Sequence, residues 1–253
     1  MIKVSLVMAS FLRSNLLDLS LYSITNYKIA FPLEIIVVND GIEDDTEAIC
    51  TSYKDKLDIK YFFSGHRNKD KVVRRSPVFA NNIAVKKATG DIIVLTCPEI
   101  YHLNNCLNII VEPLFTNRKF LTIPEFMYFD DIGKFTKMVS YSIIEMLPVN
   151  ATSKDAVQMP FFMGMWKKEF LDIGGYDEDL IGYAGDDNDL VDRLLRNGCS
   201  YNKVSALIVH LYHGTHCDSK MHWDNPEQVY NYKIMQAKKG QIVRNVDREY
   251  GVL

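Results

Sequence analysis

The chain has 253 residues, 47% hydrophobic and 24% charged, and its 29 basic and 32 acidic side chains leave a formal net charge of −3. That length supports a substantial core, and charges of both signs spread along the chain exclude the basic stripe that a nucleic-acid partner requires. The five cysteines, Cys50, Cys97, Cys106, Cys199 and Cys217, are odd in number and lack the paired spacing of a zinc site or a disulfide framework, which fits a reducing compartment. No secretory leader opens the chain and no window approaches about 18 uninterrupted apolar residues, so a cytoplasmic protein without a membrane span is expected, with room for a peripheral place at a membrane.

The first elements alternate. Lys3 to Ala9 (KVSLVMA) reads as a buried strand, and Ser14-Asn15 open a helix carrying Leu16, Leu17, Leu19 and Leu21. Leu33 to Asn39 (LEIIVVN) is the strongest strand signal, and an acid-rich helix start follows Asp40-Gly41 and runs through Ala48 and Ile49. Asp58 to Phe63 is a third strand. Pro77 suits a first helical turn, Ala80, Ile83, Ala84 and Ala88 follow, and Gly90 is expected to close this helix before a fourth strand, Asp91 to Thr96. Four strands separated by helices predict a doubly wound, mostly parallel sheet, with ligands at the carboxyl ends of its strands.

From about residue 105 to 165 the alternation weakens into a Pro-, Met- and aromatic-rich stretch that reads as irregular and substrate-facing. Gly174-Gly175 and Gly182 to Gly185 flank a short loop. Asn188 to Asn197 has helical spacing and stops at Gly198, Val204 to Val209 is a last strand delivering His210, and Pro226 to Lys238 is a final helix before a polar tail. The expected organisation is one domain over 1–253, with two halves at 1–105 and 106–220 and a C-terminal helix and tail at 221–253.

Four constellations carry chemistry. Asp40, at the end of the strongest strand, has the carboxylate to accept from the imide edge of a base such as uracil, although Asp-Gly after a strand also reads as a turn. Glu99 in Cys97-Pro98-Glu99, with His102 three residues on, offers a hard oxygen ligand for Mg²⁺ or Mn²⁺, or else a charge favouring a helix start. Asp186, Asp187 and Asp189 crowd three carboxylates before an amphipathic helix, more than capping needs, which points to a cation, a polyol or proton abstraction; a base there is expected to stay ionised at the helix N-terminus. His210, His213 and His216 lie within seven positions beside a strand end, as metal ligands or phosphate contacts do. Arg74 and Arg75 are candidates for a diphosphate, and Trp166, Tyr176 and Tyr183 offer aromatic faces to a sugar.

The order of these segments is more specific than any one of them. Val4 to Arg13 (VSLVMASFLR) resembles the opening strand and loop of family-2 glycosyltransferases, Glu34 to Gly41 (EIIVVNDG) their second strand, and Ala80 to Leu95 their ARNxGxxxAxGDxIxFL segment. Gly174 to Asp189 (GGYDEDLIGYAGDDND) is similar to GGFDExFxGWGGEDxD of that family and of galactosyl- and N-acetylgalactosaminyltransferases. The resemblance implies an α/β GT-A (Rossmann-like) fold and transfer of a sugar from a nucleoside-diphosphate sugar, UDP-linked, to an acceptor hydroxyl with inversion. It assigns the donor to Ala9, Ser10, Phe11, Arg13, Asp40, Asn81 and Arg75, Mn²⁺ or Mg²⁺ to Glu99 with His210 or His213, the base to Asp187, and the acceptor to Asp186; Trp166 or Tyr183 is expected to meet the acceptor and close over the site to exclude water. The acceptor is a glycan, a protein or a lipid-linked sugar. The usual Asp-x-Asp is here Cys97-Pro98-Glu99, which keeps only the third ligand position. Two other classes stand beside this reading: a catalytically silent sugar- or nucleotide-binding module, and a sugar nucleotidyltransferase, whose Gly-rich phosphate loop Ala9 to Arg13 does not match.

Overall fold

The computed structural model describes residues 1–66, 76–130, 133–140, 152–154, 162–182, 184–213 and 226–253. The first four strands are β1 (Val4–Ser10), β2 (Leu33–Asn39), β3 (Ile59–Phe63) and β4 (Ile92–Thr96), parallel throughout and ordered β3-β2-β1-β4. Their near-continuous apolar runs follow from burial on both faces. Val4, Leu6 and Met8 of β1 join Ile35 and Val37 of β2 and Ile92 and Val94 of β4 in one layer, with Leu17, Leu21 and Ile24 of helix α1 (Ser14–Thr25). Val7, Ile36, Val38, Ile93 and Leu95 face the opposite layer, with Val78, Ile83 and Ala84 of helix α3 (Val78–Lys87). Each fully buried aliphatic side chain of this kind contributes roughly 1.5–3 kcal/mol. The short helix α2 (Thr46–Ser52) follows β2.

Gly90 does not close α3, which ends at Lys87 with Ala88 already extended. Instead Gly90 packs on β1: its N–H donates to Ser5 Oγ (2.9 Å), and a Cβ there would lie 2.6 Å from the same oxygen. Beside it Glu34 is fully buried and accepts hydrogen bonds from Lys3, Lys60, Ser5 and Thr89. Burial alone would raise its pKa, but the bonds from Lys60, Ser5, Lys3 and the Thr89 N–H outweigh it and hold the carboxyl far below its usual range. This polar knot ties the amino ends of the strands and leaves their carboxyl ends for ligands.

The stretch expected to be irregular is instead built into the sheet. After β5 (Ile100–His102) come helix α4 (Cys106–Val111), a 3-10 turn (Glu112–Phe115), β6 (Phe120–Phe129), helix α5 (Lys134–Ser140), β7 (Thr152–Lys154), β8 (Phe162–Trp166) and helix α6 (Lys167–Asp172). β8 lies antiparallel beside β4, and β6, β9 (Ser200–His210) and β5 continue outward, giving nine strands with β7 on β6. The central sheet flanked by helices is α/β as expected, but its outer part makes it mixed rather than mostly parallel. Pro124 is the physical reason β6 was hard to read: a proline normally breaks a strand, and here a register shift between Pro124 and Phe126 absorbs it. Helix α7 (Asp186–Arg196) begins two residues earlier than its spacing predicts, and β9 is longer than Val204 to Val209. Helix α8 (Pro226–Ala237) closes the set.

Candidate active site

The carboxyl ends of β1 and β4 and the start of α7 frame an open cleft of about 240 Å³. Of the expected donor residues, Ala9, Phe11, Arg13 and Asn81 line it, facing Glu99, Asp186 and Asp187. Ser10 does not point in: it is fully buried, with its hydroxyl 3.3 Å from Thr46 Oγ1. Asp40 sits at the neighbouring strand end, its N–H donating to the Ser10 carbonyl (2.8 Å) and its carboxylate accepting from Ser64 Oγ (2.8 Å). Gly41 then turns the chain at φ 88°, a conformation that favours glycine.

On the far side, β5 pairs antiparallel with the end of β9, so that Ile100 lies opposite His210 and the Leu211 N–H donates to the Glu99 carbonyl (2.7 Å). This register brings the side chains of Cys97, Glu99 and His210 together, with one ligand atom from each within 4.8 Å of the others. Glu99 Oε2 is buried and has no hydrogen-bond partner among the described residues. Burial lowers the His210 pKa, favouring the neutral imidazole that binds a cation. His213 Nε2 lies 3.7 Å from Glu99 Oε1, and its Nδ1 lies 3.2 Å from Arg13 Nη2. These side chains fit a divalent cation: carboxylate, imidazole and thiol converge, and one carboxylate oxygen is left over. His102, three residues beyond Glu99, turns away into the core against Phe162, where burial pushes its pKa down to about 3.

The acidic loop enters α7 through two left-handed residues, Ala184 (φ 74°) and Gly185 (φ 95°). Asp186 and Asp187 then open into the cleft. The expectation that the helix N-terminus keeps the base readily ionised is corrected: burial, followed by the negative charge of Asp186, raises the Asp187 pKa well above normal, and burial likewise raises Asp186. Tyr176, buried in the cleft wall, has its hydroxyl 3.3 Å from Asp187 Oδ1. Burial first, then Glu99 and Asp187, push the Cys97 thiol upward.

Trp166 is a second correction. It pairs with Ile92 at the opposite end of β4, about 13 Å along the strand from the cleft, with its indole N–H on the Leu114 carbonyl (2.9 Å) and Arg118 over its ring (4.1 Å). It packs the core and takes no part in closing the cleft. Arg74, Arg75, Tyr183 and His216 lie outside the described residues.

Sequence reasoning missed the clamp behind the acidic loop. Arg244, in the segment read as a polar tail, is buried 2.9 Å from Asp177 Oδ2 and 2.7 Å from Asp189 Oδ1. Arg193 pairs with Asp189 Oδ2 (2.7 Å), and Lys238 bridges Asp177 (2.8 Å) and Asp179 (2.6 Å). Asn82 of α3 joins in, donating to the Tyr176 carbonyl (3.0 Å) and accepting from its N–H (2.9 Å). The only trace of this in the sequence is the number of acids in the loop, too many for one site.

Residues 5–174 match the family model described as glycosyl transferase family 2, and residues 161–217 match that described as N-terminal domain of galactosyltransferase. A chondroitin synthase of Pasteurella multocida (strain Pm70) is 25% identical over 242 residues, covering 81% of this chain; the chain spans only 24% of that relative's length. Among solved structures, GalNAc-T7 with UDP, GalNAc and Mn²⁺ superposes with a TM-score of 0.67 at 13% identity, over 94% of this chain and 48% of that one. The mannosyltransferase PcManGT of Pyrobaculum calidifontis, in complex with GDP-Man and Mn²⁺, gives 0.54 at 15% identity, over 82% and 56%. No helix among the described residues is long and apolar enough to cross a membrane. The family match across most of the chain, on a GT-A sheet whose cleft gathers the expected carboxylates, means that this protein belongs to glycosyl transferase family 2 and is a glycosyltransferase.

Proposed function

We propose that the cleft moves one sugar from a UDP-linked donor to a hydroxyl of a glycan acceptor, with inversion at the anomeric carbon and Asp187 as the base. The observation that carries this reading is the position of Asp187: it opens into the cleft beside Asp186, with no cationic partner among the described residues and a raised pKa. A carboxylate so placed is a stronger base than one on the surface, which suits removal of a hydroxyl proton. The acceptor oxygen attacks the anomeric carbon on the face away from the diphosphate, the bond to the diphosphate oxygen breaks, and the hydroxyl proton ends on Asp187. Asp186 accepts from a neighbouring acceptor hydroxyl. Ala9, Phe11 and Arg13 hold the nucleoside end of the donor, with Asp40 receiving the base edge and Asn81 beside the diphosphate. A divalent cation on Glu99 and His210, with His213 alongside, would supply neutralisation of the leaving diphosphate. The glycan acceptor and the UDP donor are supported by the relatives named chondroitin and hyaluronan synthases and by the UDP in the GalNAc-T7 structure.

Titrating the full chain with a panel of nucleoside-diphosphate sugars, with Mn²⁺ or with EDTA, and following slow donor hydrolysis tests this. One UDP-sugar should bind more tightly with metal and release a sugar of inverted configuration by NMR, and Asp187→Asn should keep binding while losing hydrolysis. Binding to none, or a retained configuration, overturns it.

A further inference from the structure

The turn between β4 and β5 places a thiol where only a carboxylate was expected. The Ile100 N–H donates to the Cys97 carbonyl (3.2 Å), closing Cys97-Pro98-Glu99 into a tight turn. Pairing of Ile100 with His210 then brings the imidazole over it, its ring stacked on Phe129 with centroids 5.4 Å apart. The three ligand atoms, Cys97 Sγ, a Glu99 oxygen and a His210 ring nitrogen, lie within 4.8 Å of one another. Bonds of about 2.0–2.3 Å held near the tetrahedral angle set ligand atoms about 3.3–3.8 Å apart, so side-chain closure of up to about 1 Å completes the contact. Glu99 Oε2, buried and without a hydrogen bond among the described residues, is a second and independent sign of a missing positive partner.

We propose that Cys97 is a protein ligand of the cation held by Glu99 and His210, and that its thiolate turns this site from Mg²⁺ toward Zn²⁺ and Co²⁺. Magnesium takes hard oxygen donors and keeps several waters, whereas a set of thiolate, imidazole and carboxylate matches the borderline-soft ions. Binding displaces the thiol proton to solvent and forms the metal–sulfur bond, with no change of oxidation state. The proposal deepens the reading of the cleft as a donor site and rests on it for what the cation serves.

The test reads metal binding rather than transfer. Purified full-length protein titrated with Co²⁺ should develop the near-ultraviolet absorption of a sulfur-to-cobalt charge transfer, and Cys97→Ser should lose it. In competition with a chromogenic chelator, Cys97→Ser should bind Zn²⁺ at least 10-fold more weakly with Mg²⁺ binding little changed, and Cys97→Asp should regain Mg²⁺ relative to Zn²⁺. For a readout free of folding defects, zinc X-ray absorption on the unaltered protein should show one sulfur neighbour at about 2.3 Å. Co²⁺ bound without the sulfur band, or Zn²⁺ bound with no sulfur neighbour, overturns the proposal. The sulfur band without any donor binding would leave this inference standing and sink the donor-site reading; metal-dependent donor hydrolysis without the band does the reverse.

Discussion

The acidic loop and the helix after it contain two populations of carboxylates, within a dozen or so residues of each other, that are treated in opposite ways. Asp177, Asp179 and Asp189 are matched by Arg193, Lys238, Arg244 and Arg248 at 2.6 to 2.9 Å. Asp186 and Asp187 have no cation among the described residues, and their pKa values are raised. The paired set holds the loop in shape, and the loop in that shape presents the other two to the cleft. A buried charge is tolerated where it is paired and costs stability where it is left reactive. Among the described residues, the cations that pair with these acids therefore lie behind the loop.

The sharpest way to break that contrast is Asp187→Asn. Removing a general base of this kind should lower the turnover number by roughly 10²–10⁴-fold, while the amide relieves the repulsion with Asp186 and raises the melting temperature by a few degrees. A variant both inactive and less stable than the parent would place Asp187 with the structural set. Next, Arg244→Ala removes the buried cation shared by Asp177 and Asp189 and leaves each with one partner, Lys238 and Arg193, so the loss should approach the about 3–5 kcal/mol of a broken buried pair. Denaturant unfolding should show that loss, and a shift under 1 kcal/mol would mean the clamp is not what shapes the loop.

Dependence on pH separates the two sets by sign. The folded pKa of Asp187 is raised, so its contribution to stability is fully present below its unfolded value and lost as pH rises through the folded one. Catalysis runs the other way: kcat/KM should climb with pH through an apparent value above the ordinary carboxylate range, a value that belongs to the Asp186–Asp187 pair. Asp179 is the opposite case, since the hydrogen bond from Lys238 holds its pKa low; its contribution is present above the unfolded value and lost as pH falls through the folded one. Melting curves from pH 4 to 8 in Asp187→Asn should be flatter than in the parent, and parallel curves would contradict the raised pKa.

The same contrast explains what could be read in advance. β1, β2 and β4 were legible because strands buried on both faces must be continuous apolar runs bounded by polar turns, and the placement of Asp187 and Glu99 at one cleft was legible because the order of four motifs is specific. Arg244 was not: a single arginine in a polar tail gives no periodic signal, and its role exists only once α7 and the tail meet. Trp166 misled for the complementary reason. An aromatic near an acidic loop in sequence suggests a sugar-stacking face, but β8 runs antiparallel to β4 and carries the indole to the far end of the sheet. Ser10 and His102 show the same limit on single residues, since the alternation of a strand, not the neighbouring motif, decides which side chain meets the cleft.

The smallest expected effect tests how finely the clamp is graded. Lys238 is more exposed than Arg193 or Arg244, with 20% of its side chain exposed. Removing its charge with Lys238→Met leaves Asp177 with Arg244 and Asp179 with Arg248, so no carboxylate is stranded. The cost should therefore approach that of a partly exposed ion pair, about 1 kcal/mol, rather than that of a broken buried one. For a chain of this size that is a fall of roughly 2–4 °C in melting temperature, and it should shrink further in high salt as screening takes hold. Donor KM should not move, because Lys238 touches the back of the loop and the cleft lies on its front. A loss as large as that of Arg244→Ala would show that the four cations act as one network, and that Asp177, shared between Lys238 and Arg244, is its hinge point rather than a carboxylate either one can hold alone.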